Sequence, residues 1–141
     1  LVFAGKFPLE SDYFDFEKLF YSRYLNGEKF NISQGYKKDF NTYLNIMQSK
    51  LIIGVNSTML QESIFFNKKI LSCPFIDHPD LNLSFPDECI LKEDNYEVFE
   101  QKVLKILSLD KDKYLKELSN RFDYIMKTNF DFYSEIEKYE S

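Results

Sequence analysis

Short apolar runs alternate along the chain with longer stretches in which apolar side chains recur every three or four positions. Strand side chains repeat every two residues and helical ones every 3.6, so this alternation predicts β–α–β units around a parallel sheet. Five runs read as strands: Leu1–Ala4, Lys29–Ser33, Leu51–Val55, Lys69–Cys73 and Glu88–Leu91. Between them, Phe14–Leu25 carries Phe16, Leu19, Phe20 and Tyr24 on one helical stripe, and Asp39–Ser49 carries Phe40, Tyr43, Leu44 and Met47 on another. Both read as crossover helices. Thr58–Asn67 predicts a short helix with Met59, Leu60, Ile64 and Phe66 on a broad buried face. Asp94-Asn95-Tyr96-Glu97 fits a capping box, with Asp94 accepting from a first-turn amide, and opens a helix to about Ser108. Its core positions are Tyr96, Phe99, Val103, Leu104 and Leu107, and a second helix from Lys111 to about Lys127 repeats the rhythm with Leu115, Leu118, Phe122 and Ile125.

Composition narrows the class. With 141 residues, including 15 Phe and 10 Tyr, the chain can bury a core of its own, and residues 1–141 read as one α/β domain. The net charge is -5, without a long block of either sign, which argues against a surface that tracks nucleic-acid phosphates. No apolar run approaches the roughly 20 residues of a membrane-spanning helix. Cys73 and Cys89 lack metal-ligand spacing and read as buried, reduced thiols, and the single His78 adds no ligand set. The apolar start at Leu1 looks like a strand already under way, which points to a piece of a longer polypeptide.

Chemistry is expected at the carboxyl ends of parallel strands, because ligands of open α/β sheets bind there. Two places qualify: the irregular loop after Cys73, with Pro74, Asp77, His78, Pro79, Asp80 and Pro86, and the turn Gly54–Thr58. In that turn Asn56, Ser57 and Thr58 place a carboxamide and two hydroxyls at a helix start. Amides without intrahelical partners and the positive dipole end favour phosphate or carboxylate there. The same residue types also serve as plain helix caps. Glu62 follows Thr58 by one turn on the same face, and helical side chains lean toward the N-terminus, so its carboxylate can accept from sugar hydroxyls over the turn. Its plain reading is an acid favoured by the helix dipole.

This order of apolar strand, small-polar turn, helix with an inner Glu, and then Asn67-Lys68-Lys69-Ile70-Leu71 resembles the donor-binding half of GT-B glycosyltransferases. In that family a glycine-lysine-proline-valine-isoleucine type strand takes the last place, and the likeness is strongest to transferases of bacterial surface-carbohydrate biosynthesis. The resemblance implies a Rossmann-like parallel sheet of about five strands with flanking helices, half of a GT-B fold. It implies that Asn56, Ser57 and Thr58 hold the donor diphosphate and that Glu62 binds the ribose. The turn holds no Arg or Lys, which leaves Lys6, after the first strand, as the basic candidate. A nucleotide sugar would then be the substrate, with no metal or other cofactor required. A missing N-terminal acceptor domain would supply the base, and the isolated domain would be inactive. The cytoplasm, or the inner-membrane surface facing it, would be its place. Two alternatives share these residues: a GT-B-fold nucleotide-sugar epimerase or hydrolase, and a non-catalytic binding or scaffolding domain.

Overall fold

The structure is a computed structural model that describes residues 1–5, 7, 10–25, 27–34, 41–55, 57–75 and 85–122. Lys6, Asn56, Asp77, His78 and Asp80 lie outside the described residues, as do Phe40 and Ile125. The chain divides into two compact units, Leu1–Ser49 and Lys50–Ser141.

In the first unit β1 (Val2–Gly5) pairs in parallel with β2 (Asn31–Gln34), joined by α1 (Asp12–Tyr24) and followed by α2 (Asn41–Gln48). Ser11 starts α1 because its hydroxyl accepts from the Tyr13 amide at 3.2 Å. Tyr21 of α1 stacks on Phe3 of β1 with ring centres 4.0 Å apart, and Phe30 meets Phe3 edge-on at 5.8 Å. Gly5 is required by close approach: a Cβ there would stand 2.5 Å from Ile32 Cγ2. The face of α1 that packs on β1 therefore carries Tyr21. The expected stripe of Phe16, Leu19, Phe20 and Tyr24 is exposed.

In the second unit β3 (Leu51–Gly54) and β4 (Lys69–Ser72) pair in parallel across α3 (Thr58–Phe65). A 3-10 turn at Asp87–Cys89 leads to α4 (Tyr96–Ser108) and α5 (Lys111–Phe122). The end of α3 explains its link to β4. Asn67 adopts φ 55°, Asn67 N donates to Ile64 O at 2.8 Å and Lys68 N to Ser63 O at 2.9 Å, the paired bonds of a Schellman cap. Asn tolerates this left-handed geometry better than any residue but glycine. Asn95, rather than Asp94, caps α4, accepting from Glu97 N at 2.9 Å and Val98 N at 3.2 Å. Of the expected α4 core positions, Tyr96, Leu104 and Leu107 are exposed. Ile106 is buried, and Val98, Phe99 and Val103 pack beside it.

β4 is buried along its whole length, Lys69 included. Its Nζ donates to the carbonyls of Ile106 (2.9 Å), Leu107 (3.1 Å) and Leu109 (2.5 Å). These are end carbonyls of α4, which lack intrahelical donors and carry the negative end of the helix dipole, so all three ammonium protons are satisfied. Asp110 then caps α5 by accepting from Asp112 N and Lys113 N. One turn on, the Tyr114 hydroxyl donates to Ile70 O at 3.1 Å and accepts from Ile70 N at 3.3 Å.

That hydroxyl bears on one part of the correction to the sheet, the missing strand beside β4. Instead of a five-stranded Rossmann-like sheet, the described residues form mixed α/β structure with two parallel pairs, β1–β2 and β3–β4. Glu88–Leu91 does not form the fifth strand. Glu88 and Cys89 lie in the 3-10 turn, and a single parallel bridge joins Ser72 to Ile90, with Leu91 N donating to Ser72 O at 2.8 Å. Tyr114 already fills the hydrogen-bonding position beside Ile70 that a longer neighbour strand would need. Cys73 and Cys89 are buried free thiols, as their sequence setting predicts.

Replacing Lys69 with Met should destabilise the second unit by about 3 kcal/mol, because three carbonyls lose a charged donor, and Tyr114→Phe by about 1–3 kcal/mol. Urea unfolding of the variants checks both magnitudes. Burial pushes the thiols of Cys73 and Cys89 up from an ordinary value near 9 to about 11, and pushes the Tyr114 hydroxyl upward too. Between pH 9 and 11 the unfolded chain therefore binds fewer protons than the folded one. The stability contribution is full below pH 9 and is lost as pH approaches 11. Urea midpoints measured from neutral to alkaline pH should fall in that window, less steeply when both cysteines are Ala.

Candidate functional site

Parallel pairing puts the carboxyl ends of β3 and β4 on one edge, and two bonds pin the chain where it leaves β3. Cys73 N donates to Gly54 O at 2.8 Å, and the buried Ser72 hydroxyl donates to Val55 O at 2.9 Å. Successive carbonyls at the β3 exit are thus held from the end of β4. This fixes where the turn begins, and sequence reading missed Ser72 because a serine ending a strand looks like any small polar residue.

Ser57 lies across that turn in extended geometry. Its hydroxyl accepts from Met59 N at 3.2 Å and its carbonyl from Leu60 N at 2.9 Å, so it is the N-cap of α3. A serine hydroxyl has one proton and two lone pairs, so accepting from Met59 N still leaves it one proton to donate. Thr58, the first helical residue, is exposed, and Glu62 is half-buried one turn further on. Leu60 and Ile64, on the opposite side, are buried in the core, as is Ser63, whose hydroxyl returns to Met59 O at 2.5 Å. The helix is therefore held by its apolar side with Thr58 left at the surface. Asn56 and Lys6, the other two candidate ligands, lie outside the described residues.

A cleft of about 340 Å³ opens elsewhere in this unit, away from the sequence-derived candidates. Its floor is Ile106 and Tyr114, and its rim carries Asp87, Glu88, Lys102 and Lys105. The rim is of mixed sign and already in part tied together, Lys102 Nζ donating to Asp87 O at 3.2 Å. Among the described residues no three His, Cys, Asp or Glu side chains gather as metal ligands would. No protein-family model, no curated protein and no solved structure matches the chain.

The two hydroxyls at the helix start should differ in their effect on folding. Ser57→Ala should cost about 1 kcal/mol through loss of the cap. Thr58→Ala, at an exposed position, should stay within about 0.5 kcal/mol of the parent. Urea denaturation of the two variants compares them directly.

Proposed function

We propose that the β3–α3–β4 segment is the donor side of a nucleotide-sugar site in a GT-B-type glycosyltransferase of surface-carbohydrate biosynthesis. The observation that carries this reading is the β3 exit itself. A parallel strand pair ends in a turn pinned by Cys73 N and Ser72 Oγ, and the turn leads into a helix whose cap and first residue are Ser57 and Thr58. In this reading Asn56, Ser57, Thr58 and the first amides of α3 receive the donor diphosphate, and Glu62 accepts from the ribose hydroxyls. Transfer forms a bond between an acceptor hydroxyl oxygen and the anomeric carbon and breaks the bond from that carbon to the donor phosphate. The helix start would stabilise the charge that develops on the leaving phosphate. The base and the acceptor pocket would belong to a second domain, so that the 141 residues alone bind donor and turn nothing over. A cytoplasmic setting, where nucleotide sugars are made, belongs to the same reading.

Calorimetric titration of the chain with nucleoside diphosphates and nucleotide sugars tests the proposal. Binding should be weak in the parent and persist in EDTA. Glu62→Ala should reduce affinity by about 1.5–3 kcal/mol, the range for a hydrogen bond to a charged group. Thr58→Ala should weaken diphosphates more than free nucleosides. Unchanged affinity in Glu62→Ala would remove the ribose assignment, and an absence of binding to every nucleotide would remove the donor-site reading itself.

A further inference from the structure

We propose that the chain forms a twofold-symmetric dimer through the exposed face of α1, with the two copies of that helix antiparallel. The side of α1 toward β1 is occupied, Tyr21 lying flat on Phe3. On the other side Tyr13, Phe16, Leu19, Phe20 and Tyr24 are 67, 74, 65, 54 and 71% exposed. Tyr13, Phe16, Phe20 and Tyr24 follow helical spacing of three and four residues and form one continuous stripe, with Leu19 at its flank. Solvated helix faces rarely carry so much contiguous apolar surface. At about 200 Å² for each such side chain, the face offers roughly 650 Å² per copy and roughly 1,300 Å² in a pair. Covered completely, that face would reach the lower end of the range of about 1,200–2,000 Å² buried in specific interfaces.

The charges select a second copy of this chain, and select its direction. Acids begin the helix, Asp12 and Asp15, and Arg23 ends it. Asp12 and Arg23 fall on the same flank of the aromatic stripe, three turns apart. A twofold axis near Lys18 reverses the helix, so that Asp12 of each copy faces Arg23 of the other while Tyr13 meets Tyr24 and Phe16 meets Phe20. All of these pairs share nearly one centre, so a single register satisfies the ionic and the aromatic contacts together. A parallel pair would carry the Asp12–Arg23 flank of one copy to the far side of the seam from that of the other, so that neither charge meets its opposite, and would align the helix dipoles unfavourably. An isologous interface needs this self-complementarity, and a contact with an unrelated protein does not.

Sedimentation equilibrium of the full chain over a concentration series tests the proposal. A monomer–dimer equilibrium is expected. Phe20→Glu should raise its dissociation constant at least about tenfold, as central aromatic anchors do, with the melting temperature unchanged when both chains are measured dilute enough to be monomeric. Asp12→Arg and Arg23→Asp should each weaken self-association. Mixing the two single variants should yield heterodimers, and the double exchange in one chain should restore the homodimer. A chain that stays monomeric overturns the proposal. So does association that survives Phe20→Glu, because it runs through another surface. A Phe20→Glu chain with a lowered melting temperature and no change in mass also overturns it, since the face is then covered by the chain's own residues.

Discussion

A single ammonium group organises the second unit. Lys69 opens β4, the strand on which that unit's core is built, and it is buried, a position where an unpaired charge would be intolerable. It is tolerated because Ile106, Leu107 and Leu109 present the end carbonyls of α4 to it. Each side cancels the other's cost: the helix end needs donors and the lysine needs acceptors. Neither β4 nor α4 can be buried in its present place without the other. With α4 so placed, Asp110 starts α5, and α5 in turn brings Tyr114 to the edge of β4. The β3 exit depends on the same strand, because Ser72 and Cys73 can hold Val55 and Gly54 only while β4 keeps its register.

The parts of this fold legible in the sequence are those set by local chemistry. β3 and β4 fall within a residue of their expected spans because both are short apolar runs bounded by polar turns. α3 begins at Thr58 as its hydroxyl-rich start predicts, and Asn67 ends it as a left-handed cap. The cap of α4 is one local miss, Asn95 taking the place expected of Asp94; the larger failures depended on partners distant in sequence. Glu88–Leu91 has the composition of a strand, but nothing in those residues reveals that a tyrosine from α5 holds the backbone position they would need. Likewise the Phe16–Tyr24 stripe of α1 is the more apolar one, and periodicity alone does not reveal that Tyr21, beyond Glu17 and Lys18 on another face, is the side chain that meets Phe3. The aromatic stacking of Tyr21 on Phe3 decides it.

At the candidate site the sequence located a junction but not what stiffens it. Ser57 and Thr58 stand where a strand meets a helix, as read from their order. The bond from Ser72 to Val55 spans 17 positions and belongs to the tertiary structure. The cleft at Lys102 and Lys105 is of the same kind, since its floor comes from α4 and α5 and its rim partly from the 3-10 turn. Local motifs therefore report where the strand-to-helix junction begins, and long-range bonds determine what pins it.

The separation of these contacts along the chain also sets an order of events in folding. Leu51–Ser72 contains β3, α3 and β4 in succession, with a helix stop built in at Asn67, so most of its closures are short. The bonds from Lys69 and Ile70 to the α4–α5 corner span 37 to 44 positions. Chain entropy must be surrendered over that whole interval before any of them returns stabilisation. The strand–helix–strand piece can thus gather first, but it gathers with Lys69 still hydrated and the Ile70 edge open. Arrival of the α4–α5 corner strips water from the ammonium and closes the edge in one step, which makes these distant bonds the cooperative end of the process and protects β4 from pairing with another chain once they form.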